Sequence, residues 1–427
     1  MEIVCVGGGP AGLYFAICAK LRNPEHRIRI FERRAEGVTY GWGFGFWDDV
    51  LTSLYANDPV TARQIEAATG LWDGIEVHVG DQPTAYLGGY GLSMGRTRLL
   101  EILVARAREV GVELYYEREV AERSTSGTST GTDLREFADA DLVVASDGIK
   151  SGLREADREA FGTEVDTGRN HYLWLGTEKL FGPFQYIFEP TEAGWIWLHC
   201  YYLDARRSTC VVECPPQTWQ GLGLDKLSPG ECLKTLEEIF HRQLDGHRLI
   251  SQVEETDTVI GLHGKQVRNT RWYSGNVALI GDSAHTTHFS VGSGTRLAIG
   301  DAVALAEAVS THGDDVPAAL RAYDATRRPE IDRIQAQALN SMRFLERVPE
   351  LLDDPEMNPV RFAYAVSRRL GTRDERWRHY MHLATQVRLL RTVRCKLTSA
   401  RRKRRERQRA KSQGCAPAAL NPVRTTT

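Results

Sequence analysis

Short apolar runs and longer runs with helical spacing alternate along the chain. Helical spacing covers residues 297–309 and 316–345, and the block from 172 to 213 is rich in strand-forming residues. Alternation within 194–201 is typical of a strand in a sheet with two different faces. Four short, mostly apolar runs predict strands of a buried parallel sheet: residues 3–6, 27–31, 141–146 and 276–280.

A glycine motif follows the first of these strands. Gly7, Gly9 and Gly12 lead into a helical run, and Glu32 follows the second strand, twenty positions after Gly12. Glycines allow a tight turn and a close approach of backbone N–H groups to a pyrophosphate at the positive end of a helix. A carboxylate at the position of Glu32 suits a ribose hydroxyl. The pattern predicts a dinucleotide site and leaves NAD and FAD both open.

Two later motifs favour FAD. Asp147 follows the third strand and Asp282 the fourth, where a carboxylate suits a sugar or ribitol hydroxyl. A glycine-rich turn then enters the helix at 297–309, so that N–H groups and the helix dipole would meet an electron-rich acceptor, such as the pyrimidine edge of a flavin. That turn consists of Gly292, Ser293, Gly294 and Thr295.

The order of these three motifs resembles that of the single-component FAD aromatic hydroxylases, the p-hydroxybenzoate hydroxylase superfamily. The likeness covers residues 1–345, and it implies that Arg96, in the sequence Arg-Thr-Arg-Leu, contacts FAD. Many members have proline where this chain has His288. Further segments are similar to the branch of salicylyl-CoA 5-hydroxylase, 2-aminobenzoyl-CoA monooxygenase and the violacein-pathway hydroxylase: residues 40–43, 169–177, 199–201 and 288–295.

The resemblance implies a cofactor-borne oxidation. NADPH or NADH reduces FAD, O2 forms a flavin C4a-hydroperoxide, and its distal oxygen passes to an electron-rich aromatic ring, carried as a CoA or carrier-protein thioester. No second glycine motif is present for the nicotinamide, so it is expected to bind transiently. Five candidates are expected beside the reacting ring: His288, Phe289 and Ser290 before the flavin-facing turn, and His199 and Tyr201 on one face of the overlying sheet.

Other functions remain open from the sequence. A free indole or another aromatic acid could be the substrate, the enzyme could be a flavin oxidase or dehydrogenase, or the fold could serve as a non-catalytic scaffold. The motif Gly91-x-Ser93-x-Gly95 matches a hydrolase nucleophile elbow, but it precedes a helix that the flavin fold already explains. Trp195 and Trp197 resemble a flavin-halogenase motif that is otherwise incomplete, so we interpret them as packing residues.

Length and composition agree with an α/β enzyme of 427 residues. The prediction is a Rossmann-like FAD-binding domain with an inserted mixed β-sheet substrate domain and a helical C-terminal segment. The predicted division is 1–70, 90–160 and 265–345 for FAD binding, 71–89 and 161–264 for the substrate sheet, 346–387 for the helical segment and 388–427 for a basic, flexible tail.

Cysteine usage and hydropathy bear on location and metals. The eight cysteines include no Cys-x-x-Cys pair and there is no His-rich segment, so no metal site is predicted. No apolar stretch is long enough to span a bilayer, and the first strand begins near residue 2, which leaves no room for a signal peptide. These features predict a cytoplasmic protein.

The charge of the chain is unevenly distributed. Residues 388–411 contain twelve Lys or Arg and one Glu, a local charge of +11, whereas the whole chain is −2 and the remainder is therefore about −13. No aromatic residues interleave these charges, so nucleic-acid binding is not predicted. A solvated tail is the favoured interpretation, and an electrostatic contact to an anionic CoA or carrier protein is the alternative.

Overall fold

The computed structural model describes residues 1–39, 41–121, 132–133, 137, 139–252, 261–371, 376–412 and 421–422. Tyr40 and Cys415 lie outside these residues. The strands are β1 Glu2–Val6, β2 Arg27–Phe31, β3 Gly43–Phe46, β4 Gly70–Val79, β5 Ala85–Gly95, β6 Glu113–Tyr115, β7 Val120–Ala121, β8 Thr132–Asp133, β9 Leu142–Ala145, β10 Thr163–Thr177, β11 Phe184–Thr191, β12 Gly194–Tyr202, β13 Ser208–Cys214, β14 Leu249–Ile250, β15 Leu262–Asn269, β16 Tyr273–Ser274, β17 Val277–Leu279 and β18 Asn421–Pro422.

The helices alternate with these strands in the first third of the chain and dominate the last third. They are α1 Pro10–Arg22, α2 Asp48–Asn57, α3 Pro59–Ala67, α4 Arg96–Glu109, α5 Gly152–Ala156, α6 Arg158–Phe161, α7 Pro216–Gly221, α8 Pro229–Ile239, α9 His241–Leu244, α10 Gly294–His312, α11 Val316–Glu346, α12 Val348–Leu352, α13 Pro359–Arg368, α14 Arg376–Gln386 and α15 Arg388–Ser412.

The first sheet has the strand order β16-β17-β9-β1-β2-β6 and is parallel except for the pair β16 and β17. Its central strand, β1, is almost fully buried, and α1 packs against both α4 and α10. Because parallel strands point the same way, the segments that follow β1, β2, β9 and β17 meet at one edge of the sheet. The predicted α/β fold class is confirmed.

The second sheet is mixed and has ten strands. Its order is β14-β10-β13-β12-β11-β4-β5-β3, with β15 beside β10 and β18 beside β4. One face carries the apolar side chains of β10 to β13 and packs on α7, α8 and α9. The sheet also includes β3, all of β5 and all of β15, parts of which the sequence had assigned to the FAD-binding unit. β3 belongs here because it pairs with the end of β5 in antiparallel register.

A long helix, α11, links the two sheets. It runs for 31 residues with Pro329 inside it, close to the predicted helix at 316–345, and it contacts α10, β10 and β15. Helices α12 and α13 then pack against β4, β11 and β12.

The basic segment differs from its prediction. Composition predicted a flexible tail, but residues 388–412 form the helix α15. This stretch has no glycine or proline and is rich in Arg, Lys and Leu, which are good helix formers. The helix rests on β5, with the Arg391 guanidinium 3.4 Å from the centre of the Tyr86 ring. Its apolar side chains point outward, and Leu389 is 73% exposed.

Two kinds of feature are absent from the described residues. None of their helices is both long and apolar enough to cross a membrane. Within the same residues, no group of three or more His, Cys, Asp or Glu side chains could hold a metal ion. The cysteines described there are free thiols, including Cys200 and Cys210, whose sulfur atoms are 3.5 Å apart on neighbouring strands.

Candidate active site

A cleft of about 530 Å³ opens at the carboxyl edge of the first sheet. It joins the ends of β1, β2 and β9 with the N-termini of α1, α4 and α10, so all three glycine motifs contribute to it. Of the residues that the sequence predicted to bind the cofactor, eight line this cleft: Gly7, Gly9, Glu32, Arg96, Asp147, Asp282, Gly294 and Thr295.

The three glycines of the first motif have different surroundings. Gly7 has φ +105°, and a Cβ there would lie 2.8 Å from the nitrogen of Asp147. A Cβ at Gly12 would lie less than 3.0 Å from the Gly7 carbonyl oxygen and from Ser146 Oγ. A Cβ at Gly9 would meet nothing within 4 Å. Gly7 and Gly12 therefore allow β1, β9 and α1 to pack closely, whereas Gly9 keeps the cleft open.

Glu32 is held at the edge of the cleft by backbone hydrogen bonds. Its Oε2 accepts one from the Gly8 nitrogen at 2.8 Å, and its Oε1 accepts one from the Arg34 nitrogen at 2.9 Å. These contacts fix the carboxylate beside the N-terminus of α1. A ribose hydroxyl could then reach it without any rearrangement of the loop.

Arg96 and Asp282 carry opposite charges and both line the cleft. The Arg96 guanidinium lies 5.8 Å from the centre of the Trp174 ring, and its buried Nε has no hydrogen-bond partner among the described residues. Burial lowers the pKa of Arg96, and the charge of Asp282 opposes that shift. Surrounding protein atoms raise the pKa of Asp282, and Arg96 opposes that shift in turn, although the open cleft still exposes the carboxylate.

Asp147 also keeps hydrogen-bonding capacity for a ligand. Its Oδ2 accepts a hydrogen bond from the Gly152 nitrogen at 2.8 Å, but its buried Oδ1 has no partner among the described residues. Burial raises its pKa. Since buried polar atoms are normally paired, the free atoms of Arg96 and Asp147 indicate a polar ligand in the cleft. A nucleotide with hydroxyl and ring-edge groups fits this donor and acceptor set.

The third motif directs the N-terminus of α10 into the cleft. Gly292 has φ +62°, which favours glycine, and Ser293 precedes the helix without capping it through its side chain. The Ser293 hydroxyl lies instead 3.0 Å from that of Thr287. Gly294 and Thr295 face the cleft, so the free N–H groups and positive dipole of a 19-residue helix point at the ligand position.

Two buried arginines, Arg154 and Arg327, stabilise the loops behind the cleft. This role was not predicted from the sequence for either residue. Arg154 donates to the carbonyl oxygens of Ser283 at 3.1 Å and Ile149 at 2.8 Å, which ties the Asp147 loop to the Asp282 loop. Arg327 donates to Asp301, whose other oxygen contacts His285 Nε2 at 2.6 Å. The contact with Asp301 gives His285 a structural role.

Three aromatic side chains of the second sheet, Tyr172, Tyr186 and His199, form an aromatic wall next to Phe289, which precedes the flavin-facing turn at 292–295. His199 contacts Tyr186 edge-on at 4.8 Å and Phe289 at 5.8 Å, and Phe289 also packs on Tyr172 at 4.6 Å. Tyr201 shares this face, but its hydroxyl donates to the Gly43 carbonyl oxygen at 2.8 Å. The structure thus brings His199 and Phe289 together and leaves Tyr201 engaged with β3.

The segment from His288 to Ser290 is braced by the C-terminal helices. His288 Nδ1 is 2.7 Å from Ser290 Oγ, which is in turn 2.8 Å from Ser341 Oγ on α11. Arg369, just after α13, donates to the Ser290 carbonyl oxygen and to the Tyr186 hydroxyl, both at 2.9 Å. Burial, with a contribution from the Arg369 charge, lowers the pKa of His288 to about 3.

Neither competing motif has the geometry of an active site. Ser93 is fully buried within β5 and donates to the Tyr202 carbonyl oxygen at 2.6 Å, so it is not an exposed nucleophile on a sharp turn. Trp197 is fully buried and donates to Glu213, and Trp195 donates to Asp353 at 2.8 Å. The tryptophans are packing residues.

Comparisons with known proteins agree with this cleft. The family model described as FAD binding domain matches residues 55–338. The chain is 34% identical over 373 residues to salicyloyl-CoA 5-hydroxylase of Streptomyces sp, covering 85% of this chain and 69% of the relative. It is 31% identical to 3-hydroxy-4-methyl-anthranilyl-[aryl-carrier protein] 5-monooxygenase of Streptosporangium sibiricum, covering 83% and 93%.

A solved structure shares the fold. The tetrameric form of 2-methyl-3-hydroxypyridine-5-carboxylic acid oxygenase superposes with a TM-score of 0.62 at 19% identity, covering 86% of this chain and 95% of that one. The family match and the two relatives, together with three glycine motifs around one cleft, show that the chain belongs to the FAD binding domain family and is one of its flavin-dependent monooxygenases.

Proposed function

We propose that this monooxygenase hydroxylates an electron-rich aromatic ring that is carried as a thioester of CoA or of a carrier protein. The observation that carries the proposal is the aromatic wall of the second sheet, whose Tyr172 and His199 pack on Phe289, just before the turn that leads into α10. The two relatives described above support the thioester, because their names specify a CoA ester and an aryl-carrier protein.

Specific residues would hold the cofactor. Gly7, Gly9 and the N-terminus of α1 suit the pyrophosphate, Glu32 suits a ribose hydroxyl, and Gly12 allows the close packing of α1 on which this depends. Asp147, Asp282 and Arg96 suit the ribitol and the flavin edge. Gly292, Ser293, Gly294 and Thr295 aim the N–H groups of α10 at the ring system. When bound and reduced by NADPH or NADH, FAD supplies an electrophilic oxygen atom from O2.

The protein's own side chains then position the substrate and exclude water. Phe289 and the aromatic wall would hold the ring against the flavin-facing turn, and Ser290 fixes that turn through its bonds to Ser341 and Arg369. His288 stays neutral at physiological pH because burial keeps its pKa near 3. His199 would lie beside the ring substituent, where a proton can be accepted.

A panel of aromatic substrates tests this function. Purified protein loaded with FAD would be incubated with NADPH and labelled O2, together with salicylyl and anthranilyl thioesters of CoA or a carrier protein, or with the free acids and indole. We expect NADPH consumption to rise most with the thioesters and their products to gain one labelled oxygen atom.

Other outcomes would contradict the thioester, the oxygen transfer or the function as a whole. Turnover of free acids or indole alone would contradict the thioester, and a product without labelled oxygen would indicate an oxidase or dehydrogenase. Failure of the protein to bind FAD would overturn the function as a whole.

A further inference from the structure

The carboxylate of Glu213 lies on the same sheet face as the aromatic wall. In the cross-strand register, Glu213 on β13 stands between Tyr172 on β10 and Trp197 on β12, and Phe188 on β11 follows in the same row. Its side chain is only 1% exposed. A buried carboxyl group is costly beside aromatic rings, and an apolar residue would pack there at lower cost. This makes a purely structural role a poor explanation.

The contacts of Glu213 hold it in one orientation. Its Oε1 accepts a hydrogen bond from Asn170 Nδ2 at 2.9 Å, and its Oε2 accepts one from Trp197 Nε1 at 3.0 Å. Asn170 lines a second cleft of about 530 Å³ between β10, β12 and α11, which opens to solvent. Glu213 therefore lies one side chain behind that cleft.

On its other side, Glu213 faces His199. The distance from Glu213 Oε2 to His199 Nε2 is 3.8 Å, and this nitrogen is buried without a hydrogen-bond partner among the described residues. A movement of about 0.9 Å would bring the two atoms to hydrogen-bond distance. The His199 ring separates Glu213 from Phe289 at the flavin-facing turn.

The surroundings of this pair favour the neutral form of each group. Burial raises the pKa of Glu213 to about 7, and Glu346 on α11 adds to that shift. Burial lowers the pKa of His199, and Arg369 and His288 add to that shift. Near neutral pH, Glu213 therefore changes between acid and carboxylate while His199 stays neutral.

We propose that Glu213 is a positioning residue that orients His199 to take a proton from the hydroxyl or amino substituent of the substrate ring. The carboxylate of Glu213 holds the N–H of His199 Nε2, which leaves Nδ1 to accept the proton. The O–H or N–H bond of the substituent breaks, its proton goes to Nδ1, and its electron pair stays on the substrate. The ring becomes more nucleophilic, and Glu213 stabilises the imidazolium. The inference rests on the proposed aromatic hydroxylation.

The test compares three variants. Glu213→Gln removes the acid, Glu213→Asp keeps it, and Glu189→Gln removes another buried carboxylate of the same sheet, one that pairs with Arg242 at 2.8 Å and does not contact His199. Retention of FAD and circular dichroism would establish that each variant folds. Should the Gln variant fail to fold, the Asp variant tests the same contact, because its shorter side chain moves the carboxylate away from His199.

The first measurement follows the titration of Glu213 in the protein without substrate. Carbon NMR or infrared spectroscopy should detect a carboxyl group that titrates near pH 7, with a signal that is absent in Glu213→Gln and present in Glu189→Gln. The His199 nitrogen resonances should move with the same titration. An unchanged His199 signal across that range would overturn the coupling, even if no thioester proves to be a substrate.

The second readout uses paired substrates that carry either a ring hydroxyl or a methoxy group at the same position. With the hydroxyl substrate, we expect wild-type kcat to rise with pH through neutrality, and the Gln variant to be about ten- to hundredfold slower and to lack that rise. With the methoxy substrate, the Gln variant should match the wild type, because no proton is transferred. Equal losses on both substrates would mean that Glu213 only supports packing, and would refute the proposal.

Discussion

The first glycine motif can be tested by mutation, because glycine is required at Gly9 and at Gly12 for different physical reasons. A methyl group at Gly9 meets nothing within 4 Å and projects toward the cleft, whereas a methyl group at Gly12 overlaps the Gly7 carbonyl oxygen and Ser146. We therefore predict that Gly9→Ala impairs cofactor binding and that Gly12→Ala impairs folding. Gly230→Ala, on α8, adds a methyl group to open space away from the cleft and serves as the control.

The magnitudes follow from the two environments. Gly9 precedes α1 with φ −77° and ψ 178°, which alanine adopts readily, so the free energy of unfolding without FAD should change by less than about 1 kcal/mol. Against a bound pyrophosphate, the same methyl group should cost about 1–3 kcal/mol, or roughly five- to 150-fold in FAD affinity. At Gly12, an overlap with backbone that cannot move away should cost about 1–3 kcal/mol of stability.

Two measurements separate these effects. Thermal unfolding of FAD-free protein reports the stability of the fold, and titration of that protein with FAD, followed by flavin fluorescence, reports affinity. Gly9→Ala should unfold at the same temperature as Gly230→Ala but bind FAD more weakly. Normal FAD binding by Gly9→Ala would show that the pyrophosphate does not approach this turn, and would refute the reasoning.

Three further predictions concern ionisable groups of the site. Arg96→Met should weaken FAD binding by about 1–3 kcal/mol, measured by flavin fluorescence, and more so at low pH, because Asp282 loses the charge that opposes its raised pKa. The pKa of His288 is about 3 in the folded protein against an ordinary 6.5, so the neutral side chain stabilises the fold above pH 6.5 and this stabilisation is lost as the pH falls. Between pH 8 and pH 5, the free energy of unfolding of His288→Gln should therefore fall by about 2 kcal/mol less than that of the wild type, as measured by urea titration. Arg369→Met should lower the unfolding temperature and release more hydrogen peroxide per NADPH, because the carbonyl of Ser290 loses its donor; equal peroxide yields would contradict this role.

The cofactor cleft could be predicted from the sequence because local rules fix it. Each motif directly follows a strand, and parallel strands bring their carboxyl ends to one edge, so Gly7, Asp147 and Asp282 had to meet although 135 or more positions separate each from the next along the sequence. No packing detail was needed for that inference.

The substrate side could be predicted only in part. Alternation in β12 indicated that His199 and Tyr201 share a face, but only the pairing of β13 with β12 brings Glu213, opposite Trp197, within 3.8 Å of His199. Arg369 reaches Ser290 across 79 positions, and no local pattern signals such a contact. The helix at 388–412 was missed for a different reason: its charge density suggested a solvated chain, while its inward contacts, such as Arg391 on Tyr86, come from the sheet beneath it.

These contacts divide the protein into a part that binds the cofactor and a part that adapts to the substrate. The cleft is built from backbone N–H groups, glycines and short-range bonds that tolerate little change, as the crowding at Gly12 illustrates. The aromatic wall is held instead by side chains from distant elements, with Arg369 bonded to both Tyr186 and the Ser290 carbonyl. Substitutions in the wall can therefore alter which ring fits without disturbing the cleft. Swapping wall residues with those of a relative should change substrate preference and leave FAD affinity within about twofold, since the two sets of contacts share few partners.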